Sequence, residues 1–116
     1  MGFVDSVKKC FSHFTDFTDR ASRSEFWWFT LFAVVVQAVL SSLVVALGNA
    51  LLQIIVLIPI AIIIITSLSV GARRLHDRNM SGWWQLISII PFGTFVLIVL
   101  WALPGTAGAN DYGEEP

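Results

Sequence analysis

Residues 26–72 run for 47 positions without an Asp, Glu, Lys or Arg, and residues 79–110 form a second stretch of the same kind. A bilayer crossing needs about 20 apolar residues, so the first stretch is long enough for two crossings. Read as one helix it would be about 70 Å long at 1.5 Å per residue, against a hydrocarbon core of about 30 Å. Gly48-Asn49 divides it economically. Glycine can take the left-handed conformation that ends a helix, and asparagine can cap the next one. The pattern therefore predicts helices over 23–47 and 50–75, the second bent mildly where Pro59 removes a backbone donor. Ser22-Arg23-Ser24-Glu25 has the form of a capping box at the start of the first.

Ahead of these helices, Phe3, Val4, Val7, Phe11 and Phe14 recur at helical spacing with Cys10 on the same side, while Lys8, Lys9 and Ser12 fall elsewhere. Residues 1–21 thus read as a short amphipathic segment and its connector. Its apolar face can lie in the headgroup layer or pack on the long helices; either buries the same side chains. Beyond the polar loop 76–82, residues 83–103 are uncharged but interrupted by Pro91-Phe92-Gly93. Length favours a third crossing bent at Pro91. The rival is a re-entrant hairpin whose arms are too short to cross. Residues 104–116 are expected to be an extended, exposed tail. The expected fold is all-α: an integral membrane bundle of three transmembrane helices preceded by the amphipathic helix.

Composition reinforces this picture. Of the 116 residues, 56% are hydrophobic and 13% charged, where a soluble domain has about 25% charged. The net charge of −1 carries no message about nucleic acid, because the charges are segregated. A single cysteine forms no intramolecular disulfide and suggests no zinc site. The mixed charge of the first 25 residues does not resemble a cleavable signal peptide, so the first long helix is expected to remain as an anchor. Lys8, Lys9, Arg20 and Arg23 precede that helix, and Arg73, Arg74 and Arg78 follow the second. The positive-inside rule puts both groups, and the N-terminus, in the cytoplasm. Three crossings would leave the tail outside; a re-entrant third segment would return it to the cytoplasm.

Arg20-Ala21-Ser22-Arg23-Ser24-Glu25-Phe26-Trp27-Trp28-Phe29, Arg73-Arg74-Leu75-His76-Asp77 and Ser81-Gly82-Trp83-Trp84 resemble the YhaH-like family of small bacterial inner-membrane proteins, domain of unknown function 805. Ile90-Pro91, Pro104-Gly105-Thr106, Gly108, Asn110, Tyr112-Gly113 and Pro116 continue the pattern. Asp19 stands where a Gly is usual, and Asp111 where a basic residue is common. The resemblance implies a multi-pass protein of the bacterial inner (plasma) membrane and brings no activity with it.

The candidate site is the charged set itself. Arg20, Arg23, Arg73, Arg74 and Arg78 can clasp anionic headgroups or a protein partner, because planar guanidinium forks suit phosphate oxygens. The plainer reading is that they orient the chain and pair with Glu25, Asp77 and Asp19, with Glu25 and an arginine from the central loop as the expected pair. His76 beside Asp77 has the elements of an acid–base pair, but no nucleophile accompanies it and structural bonding is favoured. No catalytic residue, metal or cofactor is expected. Trp27, Trp28, Trp83 and Trp84 read as an interfacial belt, with Trp101 as its counterpart on the opposite side. Gln37 and Gln53, with small residues at Ala38, Ser42, Ala46, Ser67 and Gly71, favour helix–helix contact. The expected function is an accessory or structural role through protein or lipid contacts, including a second copy of the chain. An oligomeric transporter or channel subunit is the alternative.

Overall fold

The computed structural model describes residues 2–116; Met1, the first residue of the expected amphipathic segment, lies outside them. Five α-helices follow in order: α1 Phe3–Ser12, α2 Arg23–Leu47, α3 Ala50–Ile55, α4 Leu57–Asp77 and α5 Gly93–Ala102. A 3₁₀ helix, Gly82–Ile89, precedes α5.

Local chemistry sets each boundary. Ser22 Oγ accepts from the Glu25 backbone N–H at 3.3 Å and starts α2. Gly48, at φ 56°, ends it in the left-handed conformation, and Asn49 Oδ1 accepts from Leu51 and Leu52 N–H to begin α3. A break at Val56 divides α3 from α4. Pro59 has no N–H to offer the Ile55 carbonyl four residues earlier, so the single helix expected over 50–75 is interrupted there, and its second part runs on to Asp77. The far end of α4 closes in a Schellman motif. Asn79 sits at φ 59°, its N–H bonds to His76 O at 2.9 Å, and Met80 N–H reaches Leu75 O at 2.9 Å.

α2 and the α3–α4 rod form an antiparallel pair. Their polar ends meet where Ala21 N–H donates to Arg73 O at 3.0 Å. Both are long and apolar enough to cross a membrane, and much of their surface faces outward: Val34, Val35, Val39, Ile58 and Ile64 are all exposed. α1 packs on α2 through edge-on rings, Phe11 against Phe29 (centroids 5.4 Å apart) and Phe3 against Trp28 (5.7 Å). Of the two placements open for this helix, packing on the long helices accounts for Cys10 and Phe11. Val4 and Phe14 on the same side stay exposed.

The third apolar segment differs from the expected crossing over 83–103. It forms two short arms, the 3₁₀ helix and α5, joined at Ile90–Phe92. Ten α-helical residues cover about 15 Å and eight 3₁₀ residues about 16 Å, half of the hydrocarbon core. The chain also comes back. Gln85 on the outgoing arm donates to Leu68 O at 3.1 Å, and Trp101 Nε1 on the returning arm donates to Gly71 O at 3.2 Å. Pro91 supplies no N–H, Phe92 takes φ 67°, and a Cβ on Gly93 would sit 1.6 Å from Ile87 O. Only glycine admits that approach, so Pro91-Phe92-Gly93 is a reversal and not a bend. Two expectations change with it. Trp101 lies at the polar end, 4.9 Å from Phe26 between centroids, not on the opposite side. The tail returns to the side of residues 20–25, where it docks instead of extending freely.

Candidate functional site

The polar end of the helix pair holds a buried ionic network in two halves. In the first, Glu25 is drawn inward by its place in the opening turn of α2 and has no exposed surface. Arg73 Nη1 lies 2.5 Å from Glu25 Oε2, and Arg73 is equally buried. Lys9 on α1 places Nζ 3.0 Å from Oε1, as an ion pair outside hydrogen-bond geometry. Cys10 Sγ donates to Oε2 across 3.6 Å. Burial first, and the Glu25 charge second, push the Cys10 thiol up to about 12. The expected pairing of Glu25 with an arginine is present, though Arg73 belongs to α4 and not to a loop. The reciprocal half of the capping box is absent, because the Glu25 carboxylate turns to these cations and not back to the Ser22 N–H.

The second half centres on Asp77. Arg20 Nε and Nη2 reach Asp77 Oδ1 at 3.0 and 2.8 Å. Arg74 Nη1 reaches Oδ2 at 2.5 Å. The remaining guanidinium nitrogens turn to backbone carbonyls. Arg20 Nη1 donates to Gly108 O (2.6 Å) and Gly113 O (3.1 Å), and Nη2 to Thr106 O (2.6 Å). Arg74 Nε donates to Trp101 O at 2.9 Å, and its Nη2 to Leu103 O. Thr106 N–H donates to Asp77 O at 2.7 Å. A Cβ on Gly105 would fall 1.9 Å from Asp77 Oδ2, so glycine is what lets the tail pass against the carboxylate.

The other expected site residues divide. His76 Nδ1 bonds to Asp19 O at 3.0 Å, and its ring stacks on Tyr112 with centroids 4.0 Å apart and planes 3° from parallel. Arg78 Nη1 donates to Pro104 O at 2.7 Å. Arg23 is exposed and makes no hydrogen bond or ion pair among the described residues. Of the belt residues, Trp28, Trp83 and Trp84 are exposed and Trp27 packs edge-on to Phe26 at 4.9 Å.

His13, Asp16 and Asp19 bring ligand atoms within 4.8 Å of one another. A turn accounts for the two carboxylates: Asp16 Oδ1 accepts from Thr18 N–H, Thr18 Oγ1 and Asp19 N–H. These bonds, with one from Asp19, hold Asp16 well below the usual carboxylate range. The hydrogen bond shared with Asp16 first, then burial and the Asp16 charge, raise Asp19.

Residues 14–114 match the model of the DUF805 family, described as a protein of unknown function. The chain belongs to this family. It is similar to the inner membrane protein YhaI of Escherichia coli K12, with 37% identity over 105 residues, covering 90% of this chain and 88% of YhaI. It is likewise similar to the inner membrane protein YhaH of the same strain, 33% identical over 124 residues and covering 97% of each. No solved structure matches. With its two long apolar helices, this DUF805 chain is an inner-membrane protein of unknown activity.

Sequence reasoning missed Lys9 and Cys10 as partners of Glu25, and missed the tail as a ligand for Arg20. A signal for the second was present. Gly105, Thr106, Gly108, Asn110, Tyr112 and Gly113 all belong to the family pattern. Gly105 meets Asp77, Thr106, Gly108 and Gly113 offer carbonyls to Arg20, Asn110 donates to His76 O, and Tyr112 covers the His76 ring.

Proposed function

We propose that the chain is a non-enzymatic accessory or structural protein of the bacterial inner membrane, acting through contacts with lipids or a membrane-protein partner, a second copy included, at its cytoplasmic face. The observation that carries this reading is that the network is turned inward. Arg20, Arg73 and Arg74 are spent on Glu25, Asp77 and carbonyls of their own chain, so the strongest chemistry in the sequence builds a rigid platform. His76 is held by a backbone carbonyl and a stacked ring, which suits support more than proton transfer. The positive-inside rule favours the N-terminus, the platform and the returning tail in the cytoplasm, with α2 and the α3–α4 rod crossing the bilayer.

The cations left over are those that can meet a headgroup. Lys8 and Arg23 are exposed, and a juxtamembrane cation near an anionic leaflet gains about 1 kcal/mol. The test is retention of phosphatidylglycerol over phosphatidylcholine by the full chain purified in mild detergent. The expected result is preferential retention that salt weakens and that Lys8→Gln with Arg23→Gln removes while thermal stability is unchanged. Equal retention of both lipids, with no protein co-purifying, overturns the reading. Orientation is tested separately by a reporter fused after Pro116, expected on the cytoplasmic side.

A further inference from the structure

A cavity of about 690 Å³ lies between α4, the 3₁₀ helix, the 14–22 connector and the tail. It lies within the size range of small-ligand pockets, roughly 300–1,000 Å³. None of the residues that line it is an Asp, Glu, Lys or Arg. Its chemistry is graded along α4. His76 lies at the polar end, Ala72 between, and Leu68 two turns away, about 12 Å along the helix. Leu68 and Leu86 at the apolar end are exposed, as is Trp83. The cavity therefore opens on an exposed apolar surface bearing a tryptophan, a residue type that favours the headgroup boundary.

His76 gives the polar end a direction. A carbonyl only accepts, so the bond to Asp19 O puts the proton of the neutral ring on Nδ1 and leaves a lone pair on Nε2. The side chain is 6% exposed, and Nε2 has no partner among the described residues. It faces Gly82, lying 3.6 Å from where a Cβ on that residue would be. An added Cβ would also collide with Ala72 Cβ at 2.8 Å. Glycine at position 82 is thus what keeps the 3₁₀ helix close to α4. Ser81 and Gln85 bring further polar groups to the lining.

We propose that this cavity binds the head of an uncharged membrane lipid bearing a free hydroxyl, of the diacylglycerol type, with the hydroxyl donating to His76 Nε2 and the chains leaving past Leu68 and Leu86. An acceptor with no protein partner favours a ligand that donates, and a lining without charge offers nothing to balance a phosphate or carboxylate. The gradient from His76 to Leu68 matches an amphiphile. The site is separate from the exposed cations Lys8 and Arg23, so failure of the anionic-lipid reading leaves it standing.

The experiment uses the full chain in phosphatidylcholine nanodiscs doped with dioleoylglycerol, with its 3-acetate (the hydroxyl capped as an ester, so that it no longer donates), or with phosphatidylglycerol, read by native mass spectrometry. One dioleoylglycerol per chain is expected, retained about tenfold over the acetate, the discrimination one unpaired polar group gives. Leu86→Trp, at an exposed position that needs no repacking, is expected to fill the cavity and abolish retention. His76→Phe keeps a stacking ring and is expected to erase the preference over the acetate. The proposal is overturned if the wild type retains alcohol and acetate equally, or retains neither. It is also overturned if Leu86→Trp leaves retention unchanged, or if phosphatidylglycerol takes the same Leu86→Trp-sensitive place in preference.

Discussion

Arg73 and Glu25 meet at 2.5 Å with neither side chain exposed, joining the first turn of one long helix to the last turns of the other. The attraction is strong because both charges are dry, and for the same reason each is costly alone. Arg73 Nε and Nη2 have no hydrogen-bond partner, so the guanidinium depends on Glu25 for its one close anion.

Glu25→Leu is expected to destabilise by about 3–5 kcal/mol, because it strands the buried Arg73, and Arg73→Met by less, because Lys9 still faces Glu25. The double variant is expected to recover most of that loss, since an apolar pair of similar volume is roughly neutral. Lys9, about one-third exposed, can turn to solvent when Glu25 is gone. Thermal unfolding in detergent, followed by tryptophan fluorescence, measures the cycle. Additive losses contradict the pairing.

Arg20→Lys is expected to free the tail. A lysine ammonium is a point charge that does not reproduce the planar fork by which Arg20 holds Asp77 and the carbonyls of Thr106, Gly108 and Gly113. Losing two such bonds, at about 1.5–3 kcal/mol for a charged group, is expected to raise amide exchange over residues 106–113 more than tenfold. Gly105→Ala is expected to do the same from the other side, because its Cβ meets Asp77.

The Cys10 thiol makes stability depend on alkaline pH. Its folded value of about 12 lies above the ordinary 9.0, so the unfolded chain loses this proton first as pH rises. The contribution is whole below about pH 9, falls by up to 1.4 kcal/mol per unit above it, and is gone beyond about pH 12. Cys10→Ser is expected to flatten the thermal stability profile over that window. Alkylation of Cys10 at pH 8 is expected to be slow in the folded chain, and faster in Glu25→Gln, which removes the charge that helps hold the proton.

Gly93→Ala is expected to disrupt the hairpin, because the added methyl has no room beside Ile87 O. Loss of the Trp101 and Gln85 contacts to α4 follows, read as increased solvent quenching of Trp101 in a variant whose other tryptophans are Phe. Unchanged quenching contradicts the reversal.

The boundaries at Ser22, Gly48 and Asn49 were legible in the sequence because each is decided by local chemistry. The reversal at Pro91-Phe92-Gly93 was not. A proline in an apolar run fits a bent crossing as well as a turn, and what separates them is the approach of Ile87 O to Gly93, which no spacing reports. The Glu25–arginine pairing was readable from scarcity, since buried anions at the polar end are few. Which arginine, and the addition of Lys9 and Cys10, depended on α1 folding onto α2. The role of the tail was hidden for a different reason: it supplies mainly carbonyls, which every residue has, so the family pattern marked the segment without naming its partner.

The docked tail also orders events in time. Residues 106–113 leave the ribosome after both long helices, so Arg20 must wait for most of its partners until synthesis has passed Gly113. Until then the Asp77 half of the platform is under-coordinated and the face above His76 stands open. A chain ending before Thr106 would leave Arg20 without its three tail carbonyls and Asp77 O without the Thr106 N–H. The tail thus completes the platform last, with three carbonyls and the side chains of Asn110 and Tyr112.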